Sequence, residues 1–315
     1  MPRATLLLPP RAALAGVALP DGVAIALGRG DRSEGEPGRR AQLQRHFDWL
    51  PRTWPVAALA RAHDAGDAAS GQWLRADPAW IRPDINGARL FATGDGLRLG
   101  PADVDALLPA LRPLFGDAGM PIDAPHPSRW YLRIAEGVPL PSFPDPADAL
   151  GADLGDALVE GADDANGRRW RALLSEAQVV LHNHPWNARR AAEGKPPVNS
   201  LWFWGGGALP DRVATRHAGA ASDDVVLRGL AARAGLDPHA CPEGFAKPHG
   251  GDALLDAGAN ADAGVLLARW LQPALQALRH GDLEALALDF ADGVHFDLRA
   301  RQRWRLWRRP LRALA

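Results

Sequence analysis

The stretch HNHPWNARRAAEGKPPVNSLWFWGGG, His182 to Gly207, constrains this chain more than any other part of it. The run SLWFW, Ser200 to Trp204, is too short for a helix and rich in strand-forming residues, which predicts a buried strand. The glycines Gly205, Gly206 and Gly207 then predict a loop at that strand's carboxyl end. In parallel α/β sheets ligands gather there, because bare backbone N–H groups and helix starts converge. Just upstream lie His182, His184, Asn187, Arg190, Lys195 and Asn199. Polar groups this dense beside a buried strand need partners. Arginine and lysine suit a phosphate or carboxylate, and a histidine suits proton transfer or phosphoryl chemistry. The expected site is a pocket for a small anion lined by His184, Asn187, Arg190, Lys195, Asn199 and the three glycines, with His182 and His184 as candidate catalytic groups. The plainer alternative is a helix cap and turn, with the asparagines bonded to local backbone.

A chain of 315 residues that is 47% hydrophobic can bury a substantial core. Its formal net charge of -1 offers no global attraction for nucleic acid or membrane. The single cysteine, Cys241, rules out an internal disulfide and a multi-cysteine zinc site. The opening MPRATLLLPPRAALAG is broken by Pro9, Pro10 and Arg11, and no apolar run reaches the roughly 18 residues of a membrane span. A cytoplasmic protein without a membrane partner is expected.

Along the chain, Thr5–Leu8 reads as a first buried strand, Asp31–Arg40 as a surface loop and Ala41–Leu50 as a helix with Leu43, Phe47 and Leu50 on one face. Trp73–Gly96 alternates turn dipeptides with short strands, including one at Ala88–Ala92. Pro101 opens a helix, Trp130–Ile134 is a strand, and Arg168–Leu181 is a second helix. A short helix spans Trp186–Glu193. Val265–His280 is a third long helix, with Pro273 predicting a kink. Leu286, Leu288 and Phe290 alternate before the Asp292-Gly293 turn, and His295–Leu298 returns, which predicts a hairpin. Helices interleaved with strands make the class α/β, with a mixed or mostly parallel sheet and flanking helices. We expect one domain over residues 1–315, an internal boundary near 135–167 at most, and a hairpin with a basic tail over 283–315.

Other clusters carry weaker chemistry. Asp77, Arg82, Asp84, Asn86 and Arg89 could form a second wall of the pocket, or turns in which Asx side chains cap backbone. Asp84, Asn86 and Arg89 are kept as ligand candidates. Asp289, Asp292 and His295, with Asp297 nearby, are candidate metal ligands, as are His249 and Asp252. The arginines from Arg299 to Arg312, with Trp304 and Trp307, could contact nucleic acid by phosphate pairing and stacking, or form a charged face.

The segment HPWNARRAAEGKPPVNSLWFWGGG, together with WLRADPAWIRPDINGARL, resembles the RpfE-type bacterial regulatory proteins, often labelled phosphoglycerate mutase-like. It is also similar to part of the archaeal-type, cofactor-independent phosphoglycerate mutases. That resemblance implies a fold akin to part of the phosphoglycerate mutase/alkaline phosphatase-like enzymes. It also implies two metal ions held by Asp and His, and a Ser nucleophile. This chain departs from the pattern. The family's first metal-binding Asp follows an N-terminal strand, whereas Leu6–Leu8 runs into Pro9-Pro10 here. The downstream ligand run is at best Asp289, Asp292 and His295, and no nucleophilic serine stands out. The expectation is therefore a regulatory or ligand-binding relative that takes a small phosphorylated metabolite and has lost the two-metal site, so no cofactor is expected. One alternative is an active mutase or phosphatase with rearranged ligands that uses manganese or another divalent ion. A second is a nucleic-acid-binding regulator acting through the Arg/Trp run.

Overall fold

A computed structural model describes residues 2–84, 87–151, 165–248, 250–259 and 262–314, apart from the side chains of 83, 84 and 87. The chain opens with β1 (Arg3–Leu8), α1 (Asp21–Arg29), β2 (Asp31–Glu34), α2 (Arg39–Gln44) and β3 (Phe47–Leu50). There follow α3 (Val56–Asp64), β4 (Gln72–Asp84), β5 (Gly87–Thr93), α4 (Pro101–Asp117), β6 (Ile122–His126) and β7 (Arg129–Ile134). Next come α5 (Pro146–Ala149), α6 (Ala165–His182), α7 (Trp186–Ala192), β8 (Ser200–Gly207), β9 (Arg212–Thr215) and β10 (Gly219–Ala221). The chain closes with α8 (Val225–Arg233), β11 (Asp252–Asp256), α9 (Ala263–Val265), α10 (Gln272–His280), β12 (Ala285–Phe290) and β13 (Val294–Arg299). Two compact units result: Met1–Arg52 with Asp211–Ala315, and Thr53–Pro210. The boundaries thus fall at 52/53 and 210/211, and the stretch 135–167 lies inside the second unit.

The first unit is built on a mixed six-stranded sheet in the order β10-β11-β1-β12-β13-β2. β10, β11, β1 and β12 run parallel; β13 and β2 are antiparallel additions. Alternation sorts the side chains. Ala4, Leu6 and Leu8, then Leu286, Leu288 and Phe290, then Phe296 and Leu298, pack into one apolar core with Val23 and Leu27 of α1 and Leu275 and Leu278 of α10. The in-between positions put Arg3, Thr5, Asp252, Asp256, Ala287, Asp289, His295 and Arg299 on the opposite face, where the register places Arg3 beside Asp252 and Asp289 beside His295.

Three expectations change in this unit. Asp31–Glu34 is a fully exposed, charged edge strand rather than a loop, which suits an unpaired edge. Ala41–Leu50 does not stay helical: α2 ends at Gln44, and Phe47 and Trp49 are buried alternately as strand β3 paired with β9. The helix expected at Val265–His280 contains a π-helical stretch over Leu266–Leu271, directly ahead of Pro273. Proline has no N–H to return to the Arg269 carbonyl, and that carbonyl instead accepts from Phe245 N at 2.8 Å.

The second unit holds a five-stranded, wholly antiparallel sheet, β5-β4-β7-β6 with β8 on β4. The segment read as turns and short strands is mostly β4, thirteen residues long. Leu74, Ala76, Trp130, Leu132, Leu201 and Phe203 face a core shared with Leu107, Leu111 and Phe115 of α4 and Trp170 and Leu174 of α6. The three glycines are strand rather than loop, and Gly207 pairs with Trp73. A Cβ on Gly205 would come within 2.7 Å of Val56 Cβ, and one on Gly206 within 2.6 Å of Leu140. Bare backbone is needed there so that α3 and Leu140 can pack flush on β8.

Candidate functional site

The residues between His182 and Gly207 are tied to their own unit. Arg190 is buried and gives its guanidinium to Asp103 Oδ1 at 2.6 Å, to Leu97 O at 2.6 Å and to Pro196 O at 2.9 Å. Asn187 donates to the Leu181 and Val198 carbonyls and accepts from Val198 N. Asn199 pairs with both backbone groups of Ile81, extending the ladder with a side-chain amide. His184 Nδ1 accepts from Trp186 N, capping α7. Lys195 meets Glu193, and His182 is exposed at the end of α6. These groups hold turns and strand ends together.

The second expected wall divides similarly. Asp77 is buried against Arg75, which donates twice at 2.8 Å, and against the Trp204 indole N–H at 2.7 Å. Arg82 lies over the Trp80 and Phe91 rings. Arg89 is half-buried and partnered. Asn86, the Asp84 side chain and His249 lie outside the described residues.

Chemistry concentrates on the polar face of the first unit. The parallel strand β11 ends on the buried Asp256, and β12 carries the buried Asp289 one residue before its end. Arg39, at the start of α2, bridges Asp256 (2.5 Å) and Asp224 (2.7 Å). Ser222 Oγ donates to the same Asp256 at 2.6 Å, and Gly258 N donates to its other oxygen at 3.1 Å. Arg45 contacts both oxygens of Asp289, at 2.8 and 3.0 Å. Gln42 ties α2 to the carbonyls of Leu8 and Asp289.

A buried chain of acids and imidazoles crosses this face. Asp289 Oδ2 is 2.7 Å from His46 Nε2, His46 Nδ1 is 3.1 Å from His217 Nε2, and His217 Nδ1 is 3.2 Å from Asp252 Oδ1. Burial pushes His46 below the ordinary histidine value, outweighing the pull of Asp289. Burial alone would raise Asp289, but its hydrogen bonds from His46 and Arg45 hold it below the usual carboxylate range. His295 Nε2 stands 3.3 Å from Asp289 Oδ1. Asp292 does not join them; it sits in the hairpin turn, accepting from Arg11 and from Val294 N.

The two metals implied by the resemblance can be tested against these donors. A divalent ion needs carboxylate lone pairs left open by the chain's own donors. Asp256 and Asp289 have theirs filled by guanidinium, hydroxyl, imidazole and backbone donors of the chain itself. The residues do not fit a metal pair unless Arg39 and Arg45 are displaced. Among the described residues, no group of three or more His, Cys, Asp or Glu could hold a metal ion.

The same face opens into a cavity of about 220 Å³ lined by Arg3, Thr5, Arg216, Asp252, Ala287, Asp297 and Arg299. Arg3 is ion-paired to Glu284, and Arg216 lies 4.0 Å from Asp252. Arg299 reaches no carboxylate within salt-bridge distance among the described residues. Sequence reasoning missed most of this face. The signals were there: DALLD and LALDF are apolar strands that each carry an Asp at or next to the carboxyl end, and Arg39, Gln42 and His46 recur at i, i+3 and i+7.

No family model matches the sequence. Over 98 residues the chain is 39% identical to a Geobacter sulfurreducens protein described as a probable 2,3-bisphosphoglycerate-independent phosphoglycerate mutase, covering 29% of this chain and 24% of that one. The corresponding mutase of Methanosarcina acetivorans is 35% identical over 97 residues, with the same coverage. The match therefore spans about a quarter of the relatives' length. Among solved structures, the PH0037 protein from Pyrococcus horikoshii aligns over 96% of this chain and 92% of its own, with a TM-score of 0.52 at 14% identity. The cofactor-independent phosphoglycerate mutase from Thermoplasma acidophilum aligns over 95% and 89%, with a TM-score of 0.41 at 16% identity. The chain has a mixed α/β fold shared with the Pyrococcus protein, and it is distantly homologous, over part of its length, to cofactor-independent phosphoglycerate mutases.

Proposed function

We propose that this chain is a ligand-binding, regulatory relative of the cofactor-independent phosphoglycerate mutases, one that takes a small phosphorylated acid without two-metal phosphoryl transfer. The observation that carries this reading is the engagement of Asp256 and Asp289 by Arg39 and Arg45. A two-metal mechanism clamps the attacking and leaving oxygens between cations held by free carboxylates. Here the balancing positive charge comes from the chain's own guanidinium groups. The regulatory role is inferred from the RpfE-type resemblance of the segment ending in Gly207, and a cytoplasmic setting is proposed with it. The part of the face suited to the ligand is the cavity of Arg3, Arg216 and Arg299, because guanidinium groups bind phosphate and carboxylate oxygens in pairs.

Calorimetric titration of 3-phosphoglycerate into the wild type and Arg299→Ala, alongside a mutase assay with and without manganese, tests the proposal. We expect wild-type binding, at least about tenfold weaker in the variant, and no isomerisation in either condition. Manganese-dependent isomerisation would establish the enzyme alternative instead. Equal or absent binding in both proteins would remove the metabolite.

A further inference from the structure

Three of the chain's exposed large apolar side chains fall within four residues: Trp304, Leu306 and Trp307, at 67%, 71% and 77% exposure. Around them lie Arg299, Arg301, Arg303, Arg305, Arg308, Arg309 and Arg312, with no acidic residue from Leu298 to Leu314. Arg305 and Arg308 turn inward to Asp31 and to the carbonyls of Arg29 and Gly30. Arg301, Arg303, Arg309 and Arg312 reach no carboxylate within salt-bridge distance among the described residues, and Arg303 lies over the Trp304 ring at 5.0 Å.

The backbone carrying this patch is strapped down. Leu311 N donates to Ala24 O, Leu19 N donates to Arg312 O, and Leu314 is buried in the unit's core. Gly28 of α1 lies so close to Arg309 O that a Cβ there would fall 2.1 Å away. The two indoles and the leucine are thus held in solvent by an anchored segment. A contiguous apolar patch kept exposed in this way marks a contact surface.

We propose that this patch attaches the protein to the surface of an anionic lipid bilayer. Leu306 decides between the anionic partners the arginines would accept. Nucleic acid offers stacking for the tryptophans and phosphate for the arginines, but nothing that shelters an aliphatic side chain between them. The headgroup–acyl boundary takes all three classes together: indole rings at the interface, leucine below it, and guanidinium groups on lipid phosphates. With a chain charge of -1 there is no whole-molecule attraction, so attachment depends on the patch itself. Each arginine close to an anionic leaflet adds roughly fivefold in affinity. No helix among the described residues is long and apolar enough to cross a membrane, and the contact proposed is one made by the patch at the bilayer interface. This revises the expectation that a membrane plays no part.

The test is co-sedimentation of the full chain with phosphatidylcholine vesicles, with and without about one-quarter phosphatidylglycerol. Two variants accompany the wild type: Trp304→Ser/Leu306→Ser/Trp307→Ser and Arg301→Glu/Arg303→Glu/Arg309→Glu. All six side chains are exposed, so an unchanged melting temperature verifies folding. We expect salt-sensitive binding to the phosphatidylglycerol vesicles only, at least about tenfold weaker in each variant. Absent binding overturns the proposal, as does binding unchanged by the serine variant. A single-stranded oligonucleotide that binds tightly and displaces the vesicles would also overturn it and assign the patch to nucleic acid.

Discussion

His46 and Asp289 meet at 2.7 Å in the buried polar face of the first unit, and that contact is one end of a chain running through His217 to Asp252. Each of its three gaps needs one hydrogen, and two neutral imidazoles supply only two. Burial opposes a second proton on His46, so the folded protein binds that proton more weakly than the unfolded chain does. Since the folded value of His46 lies below its unfolded 6.5, its contribution to stability is complete above that pH and declines as pH falls below it. Each unit of depression is worth about 1.4 kcal/mol once the pH has passed it. Asp289 is likewise depressed, and its contribution goes at lower pH, below the ordinary 3.8. Thermal melts from pH 8 to pH 3 should show an acid loss beginning near pH 6 and another below pH 4. His46→Gln should flatten the first and weaken the second, because His46 also helps hold Asp289 low; a melting point level from pH 7 to pH 5 in the wild type would contradict the assignment.

Arg190→Met is expected to lower stability by about 3–5 kcal/mol. The substitution keeps most of the volume but strips Leu97 O and Pro196 O of their donor and Asp103 of its buried counter-charge. Adding Asp103→Leu should cost less than the two single changes together, because the pair is then absent from both sides. Urea midpoints of the four proteins make the cycle. A loss below about 1 kcal/mol for the single variant would mean that Arg190 is exchangeable with solvent after all.

Gly205→Ala should destabilise the second unit by about 1–3 kcal/mol. Gly205 sits at φ +63, and the new methyl would press on Val56 at 2.7 Å. Val56→Ala removes the far side of the clash, so the double variant should recover part of the loss in denaturant titrations. The φ penalty stays, so recovery should be incomplete.

Cys241 should be a poor nucleophile. Burial, helped by Asp223 and Asp256, pushes its thiol up to about 12, and Sγ lies 2.8 Å from the Asp256 carbonyl. Labelling by iodoacetamide at pH 8 should be slow in the native protein and fast after unfolding in urea. Equal rates would show that the first unit opens readily at that edge.

The fold was partly legible because some of its elements announce themselves locally. The helix opening at Pro101, the helix ahead of His182 and the hairpin around Asp292-Gly293 each carry their own periodicity or turn chemistry. The site was legible in much smaller part. Gly205 to Gly207 look like a loop when taken singly, yet their conformation is set by Trp73 across the ladder and by α3 above it, both distant in sequence. Asn187, Asn199 and Arg190 resemble ligand groups because amides and guanidinium groups bond equally well to anions and to backbone carbonyls. Which of the two they meet is decided by packing. His46 and His217 are unremarkable in sequence and become a chain only when β3 and β9 bring them side by side.

β1 takes both of its neighbours, β11 and β12, from the far end of the polypeptide, whereas the strands of the second unit's sheet come from one uninterrupted stretch. The 53–210 body can therefore close on its own segment, while Leu6 to Leu8 must wait for strands that lie far along the sequence. The apolar strand β1 stays uncovered until both of those distant strands arrive, which leaves the first unit the slower of the two to form and the more prone to aggregate on the way.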